Sequence, residues 1–336
     1  MTATALRAVQ FVGAAAAVPA PVLTNDDLSH VVETSNEWIR TRTGIRERRI
    51  LPPDQTVVDL AAEASRKALA RAELTPADLD LIVLATSTSS DRFGSAPQLQ
   101  GVLGAPRALA FDLTAACTGF IYAVVTAAQF LQTGMYRRAL VVAADVLSRT
   151  VDWSDRKTCV LFGDGAGAVV LEAAQTQGLL GTALQADGKG SDLLTLRNLT
   201  TPQSLTDNVQ TGQYSCEPIF MNGREVYKFA VTAVPEVIEK ALFAAGLEPA
   251  AVDGYFLHQA NQRILDAIAS RLALDPARVA SVVDRFGNTS GASVPIALAD
   301  WLESGKFEQG DTGLMAGFGA GLTWGAIAFR WGRLDS

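Results

Sequence analysis

Residues 163–172, GDGAGAVVLE, and residues 317–329, GFGAGLTWGAIAF, carry the same G-x-G-A-G pentad ahead of an apolar, strand-like run. They lie roughly half the chain apart, which points to two similar halves. A dinucleotide-binding loop of this composition follows a strand and opens a helix. Both copies here lead into strand-like sequence, so a nucleotide cradle is not the reading. Further strands are expected at 79–88, 138–147, 168–173 and 252–258, and two joined by a glycine turn at 314–331. Between them run amphipathic helices. That at 56–72 aligns Val57, Leu60, Ala61, Ala64, Ala68 and Leu69 on one face; those at 232–246 and 261–274 follow the same spacing. Such alternation predicts α/β layers, with helices between or outside sheets. The run 117–131 is apolar nearly all round but shorter than the roughly 20 residues a bilayer requires, so it reads as a buried helix. The segment 187–217 is polar and reads as an irregular cover or link.

The chain has 336 residues, enough for two core-forming units or one large layered domain. Its 28 basic and 35 acidic residues give a net charge of −7. With no basic tail or lysine cluster, nucleic acid is not an expected partner. Three cysteines, Cys117, Cys159 and Cys216, are too few and too odd for a disulfide framework, which points to a reducing compartment. The opening MTATALRAVQFVGAAAAVPA has a superficial signal-peptide look. Gln10 and Gly13 interrupt its apolar run, and a first β-strand is the preferred reading.

Three positions stand out chemically. Cys117 joins a strand-like run, 111–113, to the buried helix. A helix N-terminus favours a thiolate and can lower a cysteine pKa; equally, a free cysteine is often a small core residue. His258 ends the strand DGYFLH where a helix begins, an edge where ligands sit in such sheets, although a satisfied core histidine has the same look. Asn288, in RFGNTSGAS, is a turn asparagine or a polar group for a site. His30 lies in a polar stretch and reads as solvated.

AACTGF, HQANQRI, GNTSGAS and GFGAGLTWG follow one another in this order, together with TSNEWIRTRTGIRERR (34–49), SDRKTCVLFGDGAGAVVLE (154–172) and MNGREVYKFAV (221–231). In these segments the sequence strongly resembles the β-ketoacyl-acyl-carrier-protein synthase III family, over nearly the whole chain. The resemblance implies the thiolase fold, five αβαβα layers in two similar halves, here 1–175 and 176–336, and a homodimer. It implies a condensing acyltransferase that joins a short acyl-CoA, acetyl-CoA foremost, to malonyl-acyl carrier protein in the cytoplasm. No cofactor or metal is implied; coenzyme A enters as the substrate thioester.

By the same resemblance Cys117, His258 and Asn288 form the catalytic triad, with backbone N–H groups of Cys117 and Ala320 as the oxyanion hole. Many members carry glycine at the Ala320 position; a backbone donor survives that change. Elongating synthases use a second histidine, thiolases a second cysteine near the C-terminus, and hydroxymethylglutaryl-CoA synthases a glutamate. Asn288 therefore favours decarboxylative condensation. Trp38 and Arg156 are expected to enclose the CoA adenine and Arg42 to meet its phosphates, with Thr34 and Gly223 as further CoA contacts. The segment Gln259, Ala260, Asn261, Gln262 and Arg263 resembles the carrier-protein-binding stretch, with Arg271 a secondary contact. Phe93 aligns with a residue that floors the partner subunit's acyl pocket. Two rivals remain: a starter-unit synthase or acyltransferase of a secondary pathway, and a catalytically silent acyl-CoA-binding protein.

Overall fold

The computed structural model describes residues 6–334. The start of the N-terminal reading, residues 1–5, lies outside them; the expected first strand is Ala8–Ala17.

Five strands form the first sheet, in the order Ala8–Ala17, Asp164–Ala174, Arg138–Val146, Leu81–Ala85 and Leu109–Leu113. The last three run parallel to one another, while Asp164–Ala174 is antiparallel to both its neighbours. The second sheet is ordered Gly254–Leu257, Thr312–Gly319, Thr323–Arg330 and Leu179–Ala186, with only its first pair parallel. Helix Val57–Arg71 covers the outer face of the first sheet and Gly223–Ala245 that of the second. Helices Gly119–Gln132 and Ser293–Glu303 lie between the sheets, giving the expected five layers.

Local sequence explains these elements. Thr56 caps helix Val57–Arg71 by accepting from Asp59 N–H, while the Asp59 carboxylate accepts from Thr56 N–H. Its buried face includes Val57, Leu60, Ala61, Ala64, Ala68 and Leu69, as the spacing predicts. Helix Gly119–Gln132 exposes only Gln129. Phe120, Ile121 and Val124 on it join Phe256, Met315 and Ile327 in the central core.

The G-x-G-A-G pentads let the middle layer approach both sheets. A Cβ on Gly167 would lie 2.6 Å from the Pro295 ring, and one on Gly165 would lie 2.8 Å from Ile296. In the second copy, a Cβ on Gly319 would stand 2.8 Å from the backbone nitrogen of Cys117. Side chains at these positions would hold the middle layer off the sheets.

Two expectations change. The segment 187–217 is not irregular. Asn198–Thr206 and Val209–Cys216 pair as an antiparallel, largely exposed hairpin, and Leu194–Thr195 pairs with Phe220–Met221. Its threonine-rich polar strands need only cross-strand pairing, which hydropathy does not register. The helix expected at 232–246 begins earlier, at Gly223, and carries Pro235 inside it. Proline removes the bond to the carbonyl four residues back. Here that carbonyl, Val231 O, accepts from Arg271 Nη1 at 3.0 Å, and Arg271 also pairs with Glu236 at 3.9 Å. Arg271 is thereby committed within the fold rather than free for a carrier protein.

The Gly167–Pro295 approach is testable. Gly167→Ala should lower unfolding stability by about 1–3 kcal/mol, the usual range for overpacking a tight core. Urea denaturation should show a lower midpoint at unchanged slope; an unchanged midpoint would mean that the Ser293–Glu303 helix yields freely.

Candidate active site

Cys117 sits in a short 3₁₀ turn, Ala116–Thr118, between strand Leu109–Leu113 and helix Gly119–Gln132. Ala116 adopts φ 46°, a left-handed conformation unusual for a residue with a side chain. This sharp turn carries the thiol into the space between the halves, where it is only 7% exposed.

His258 follows strand Gly254–Leu257, and its N–H donates to Ala316 O at 2.8 Å. Its Nδ1 lies 2.7 Å from Ser293 Oγ, which also accepts from Gln259 N–H at 3.1 Å. Nε2 is thus the ring nitrogen left for a ligand. The Phe318 ring meets the imidazole edge to face at 5.0 Å. Asn288 is pinned by its backbone: its N–H donates to Leu161 O at 2.8 Å, and its carbonyl accepts from Gly163 N–H at 3.1 Å. Its side-chain Oδ1 accepts from Ser290 N–H at 2.9 Å. With the oxygen so engaged, the amide presents its NH₂ outward as a donor.

These three residues line one cavity of about 390 Å³, together with Arg42, Gly223, Ala260, Asn261 and Arg263. A second cavity of about 70 Å³ adjoins Cys117, walled by Leu147, Phe162, Leu196, Ile219, Ser290 and Ala320. Cys117 therefore stands where a larger, partly polar channel meets a small apolar end chamber. Leu194 lines both spaces, which gives the 187–217 segment a wall of the site in addition to its hairpin.

The electrostatics differ from the expectation of a lowered thiol pKa. Burial, reinforced by the charge of Asp145, pushes the Cys117 thiol up to about 12. Burial drives the His258 imidazole down to about 3. Desolvation of an anion outweighs the pull of the helix N-terminus in so enclosed a site. The free site therefore holds a neutral thiol beside a neutral imidazole.

Of the expected CoA residues, Arg42 and Gly223 line the larger cavity, and Trp38 and Arg156 cluster with Arg42. Arg42 and Arg156 place their guanidinium groups 4.5 and 4.7 Å from the centre of the Trp38 ring. Arg156 also donates to Glu33 O at 2.8 Å. A purine stacking on Trp38 from that side must displace Arg156, since the cation already occupies the stacking distance. Thr34 Oγ1 is buried without a partner, an unmet hydrogen-bonding group beside this region. Arg48 of the arginine cluster faces no ligand. It is fully buried and donates to Leu23 O, Asn25 Oδ1 and Val160 O. It is a strut for the 160–163 segment on which Asn288 is pinned.

The stretch expected to meet a carrier protein divides. Gln259 is fully buried, donating to Leu257 O and Ala280 O and accepting from Val282 N–H, so it braces the fold and offers nothing to a partner. Asn261 caps helix Gln262–Arg271 by accepting from Ile264 N–H at 3.0 Å. Gln262 bonds Asp266 and Ser281. Arg263 is exposed at the channel, near the Tyr227 ring. Phe93 is 100% exposed and lines neither cavity of its own chain.

Comparison with known proteins places this geometry. Residues 111–188 match the family described as 3-oxoacyl-[acyl-carrier-protein (ACP)] synthase III, and 242–331 match its C-terminal part. The β-ketoacyl-[acyl-carrier-protein] synthase III of Gloeobacter violaceus is 54% identical over 97% of this chain and 99% of its own; that of Thermosynechococcus vestitus is 56% identical over the same shares. The chain belongs to the β-ketoacyl-[acyl-carrier-protein] synthase III family. It is a condensing acyltransferase of the thiolase fold. The crystal structure of the Aquifex aeolicus synthase III superposes with a TM-score of 0.88 at 43% identity, covering 96% of this chain and 100% of that one. A priming β-ketosynthase from the R1128 polyketide pathway superposes at 0.90, covering 99% of each chain, but at 34% identity.

Sequence reasoning missed Ser290, Asp145, Arg48 and the apolar end chamber. A lone aspartate closing the buried run RALVVAADV was the available signal for Asp145.

His258 and Asp145 also oppose each other in stability. His258 has its folded pKa pushed from 6.5 to about 3, so between these values only the unfolded chain binds its proton, and stability falls as pH drops. Burial raises Asp145 from 3.8 to about 6, so its folded form binds the extra proton, and stability falls as pH rises through that window. Between pH 4 and 6 the two offset. His258→Gln should flatten acid destabilisation in that range, and Asp145→Asn should steepen it, each by up to about 1.4 kcal/mol per pH unit. Urea midpoints at pH 4.5 and 6.0 test both signs.

Proposed function

We propose that the protein primes fatty-acid synthesis by decarboxylative condensation of a short acyl-CoA, acetyl-CoA foremost, with malonyl-acyl carrier protein, giving a β-ketoacyl carrier protein. The observation that carries this reading is the convergence of a thiol, an imidazole and an outward-facing amide where a channel meets a small apolar chamber. The relatives named above as β-ketoacyl-[acyl-carrier-protein] synthase III support it, and their 54–56% identity favours it over the starter-unit alternative.

Cys117 attacks the acyl-CoA thioester and becomes the acyl carrier, with its acyl group in the end chamber. Backbone N–H groups of Cys117 and Ala320 steady the tetrahedral oxyanion. In the second half-reaction the malonyl thioester loses CO₂. The enolate oxygen is held by His258 Nε2 and the Asn288 amide, and the enolate carbon takes the acyl group from Cys117. Both donors act on charge that exists only in that half-reaction. CoA reaches Cys117 through the channel, its adenine at Trp38 and Arg156 and its phosphates at Arg42, with Thr34 and Gly223 along its path. The acidic carrier protein docks at the channel mouth on Arg263, flanked by Ala260 and Asn261. The enzyme acts as a cytoplasmic homodimer and takes a coenzyme A thioester as substrate, with no resident cofactor or metal. Among the described residues no helix is long and apolar enough to cross a membrane.

Mass spectrometry after incubation with acetyl-CoA should find one acetyl group on Cys117, and none after Cys117→Ser. His258→Ala and Asn288→Ala should still acetylate while losing malonyl decarboxylation by roughly 10²–10³-fold each, the scale for one lost oxyanion donor. Equal losses in both half-reactions would remove the division of roles.

Phe93, exposed on its own chain, is proposed to reach the partner's acyl chamber as its floor. Phe93→Thr should then shift primer use from acetyl-CoA toward butyryl-CoA, since each added methylene gains about 0.8 kcal/mol of burial once space exists. An unchanged primer profile in a dimeric variant would refute the role.

A further inference from the structure

Ser293, at the start of helix Ser293–Glu303, is only 1% exposed. Its Oγ has two partners among the described residues: the backbone N–H of Gln259 at 3.1 Å and the Nδ1 of His258 at 2.7 Å. The first can only donate. The second donates when it carries a proton and accepts when it does not. Burial keeps the His258 ring neutral, so it holds one proton, on Nδ1 or on Nε2. The hydrogen bond made at one ring nitrogen selects between the two tautomers.

The Ser293 hydroxyl makes the selection. It has one proton to give and lone pairs with which to accept. Gln259 N–H takes a lone pair. A helical serine often turns its proton to the carbonyl one turn back, but Ser293 makes no such bond among the described residues, and Nδ1 is the acceptor that remains. Were Nδ1 protonated, Ser293 would accept from both sides and bury its own proton unmet, at the full desolvation cost of that donor. With Nδ1 bare, Gln259 N–H, the hydroxyl and the ring nitrogen are all satisfied.

Gln259 cannot turn away to relax this arrangement. Its side chain donates to Leu257 O at 2.7 Å and to Ala280 O at 3.1 Å, and accepts from Val282 N–H at 2.9 Å. These bonds tie it to the end of strand Gly254–Leu257 and to the 280–282 segment, and they hold its backbone N–H on Ser293.

We propose that Ser293, held in place by Gln259, is a positioning residue that fixes His258 as its Nε2–H tautomer. The inference rests on the proposed condensation, in which His258 Nε2 donates to the enolate oxygen. The ring's lone pair is spent inside the fold, on Ser293, so donation is what the imidazole has to offer the channel. It has no vacant nitrogen there for the Cys117 proton, and its work falls in the malonyl half-reaction.

The chain has two histidines, and His30 is exposed. Nitrogen NMR of protein carrying isotope-labelled histidine therefore reads the His258 ring directly, with His30→Gln removing the other signals. In the unliganded wild type, Nδ1 should resonate as a bare nitrogen and Nε2 as a protonated one. A protonated Nδ1 overturns the inference without recourse to any variant at Ser293. Ser293→Ala should mix the two tautomers and slow malonyl decarboxylation roughly 10- to 100-fold, the scale on which orienting partners of an imidazole act, while Cys117 still acetylates near the wild-type rate. Ser293→Thr keeps the hydroxyl and should restore the single tautomer and most of the decarboxylation. A Ser293→Ala variant with the wild-type spectrum and wild-type decarboxylation removes Ser293 from the role. So does one in which acetylation and decarboxylation fall together, the mark of a merely structural contact. A wild type that holds the Nε2–H tautomer yet decarboxylates no malonyl carrier protein would instead sink the proposed condensation and leave the tautomer in place.

Discussion

The contact between the Thr312–Gly319 strand and the Cys117 turn is the constraint on which this molecule turns. A sheet from one half and a helix start from the other meet with no room for a Cβ at Gly319. Gly317 beside it faces the Cys117 carbonyl, where an added Cβ would lie at 3.1 Å. That approach seals the thiol between the halves, and sealing has electrostatic consequences. A thiol and an imidazole removed from water both settle in their neutral forms. The site is prepared for charge that develops during reaction, not for charge stored beforehand.

Polar groups around the site follow the same economy of satisfaction. Asn288 gives its oxygen to Ser290, so its NH₂ faces the channel. Ser293 holds His258 Nδ1, so Nε2 faces the channel. Arg48, buried without a carboxylate partner, spends its N–H groups on carbonyls and an amide oxygen around the segment that pins Asn288; burial lowers its pKa to about 10. Where Pro235 removes one hydrogen bond inside the Gly223–Ala245 helix, Arg271 supplies the missing donor. Arg48 Nε alone among these groups stays buried without a partner, and in the other cases the arrangement that satisfies a buried polar atom determines what remains for a ligand.

The layered fold was legible in the sequence wherever burial imposes a period. The helix at 57–71 and the strand at 138–146 carry their apolar faces openly. The hairpin at 198–216 was not legible, because its residues are exposed on both faces and its pairing is a backbone matter. Cys117, His258 and Asn288 were legible as junction residues and through family resemblance. Gln259 misled because the resemblance that assigns residues 259–263 to a carrier protein does not register burial, whereas strand Gly254–Leu257 delivers it straight into the interior. The sign of the Cys117 pKa shift was also beyond sequence: a helix start is visible in residue order, but the burial that overrules it depends on a strand some 200 residues away.

The depth of Cys117 also bears on oxidation. Peroxides and disulfides react with thiolates, and the ladder from sulfenic to sulfonic acid begins there. A thiol held near 12 and 7% exposed stays off the first rung. Cys159 is likewise buried, whereas Cys216 sits exposed on the hairpin. Oxidants arriving from bulk solvent therefore meet Cys216 first, and the sulfur at the centre of the molecule is spared until an acyl donor fits the channel.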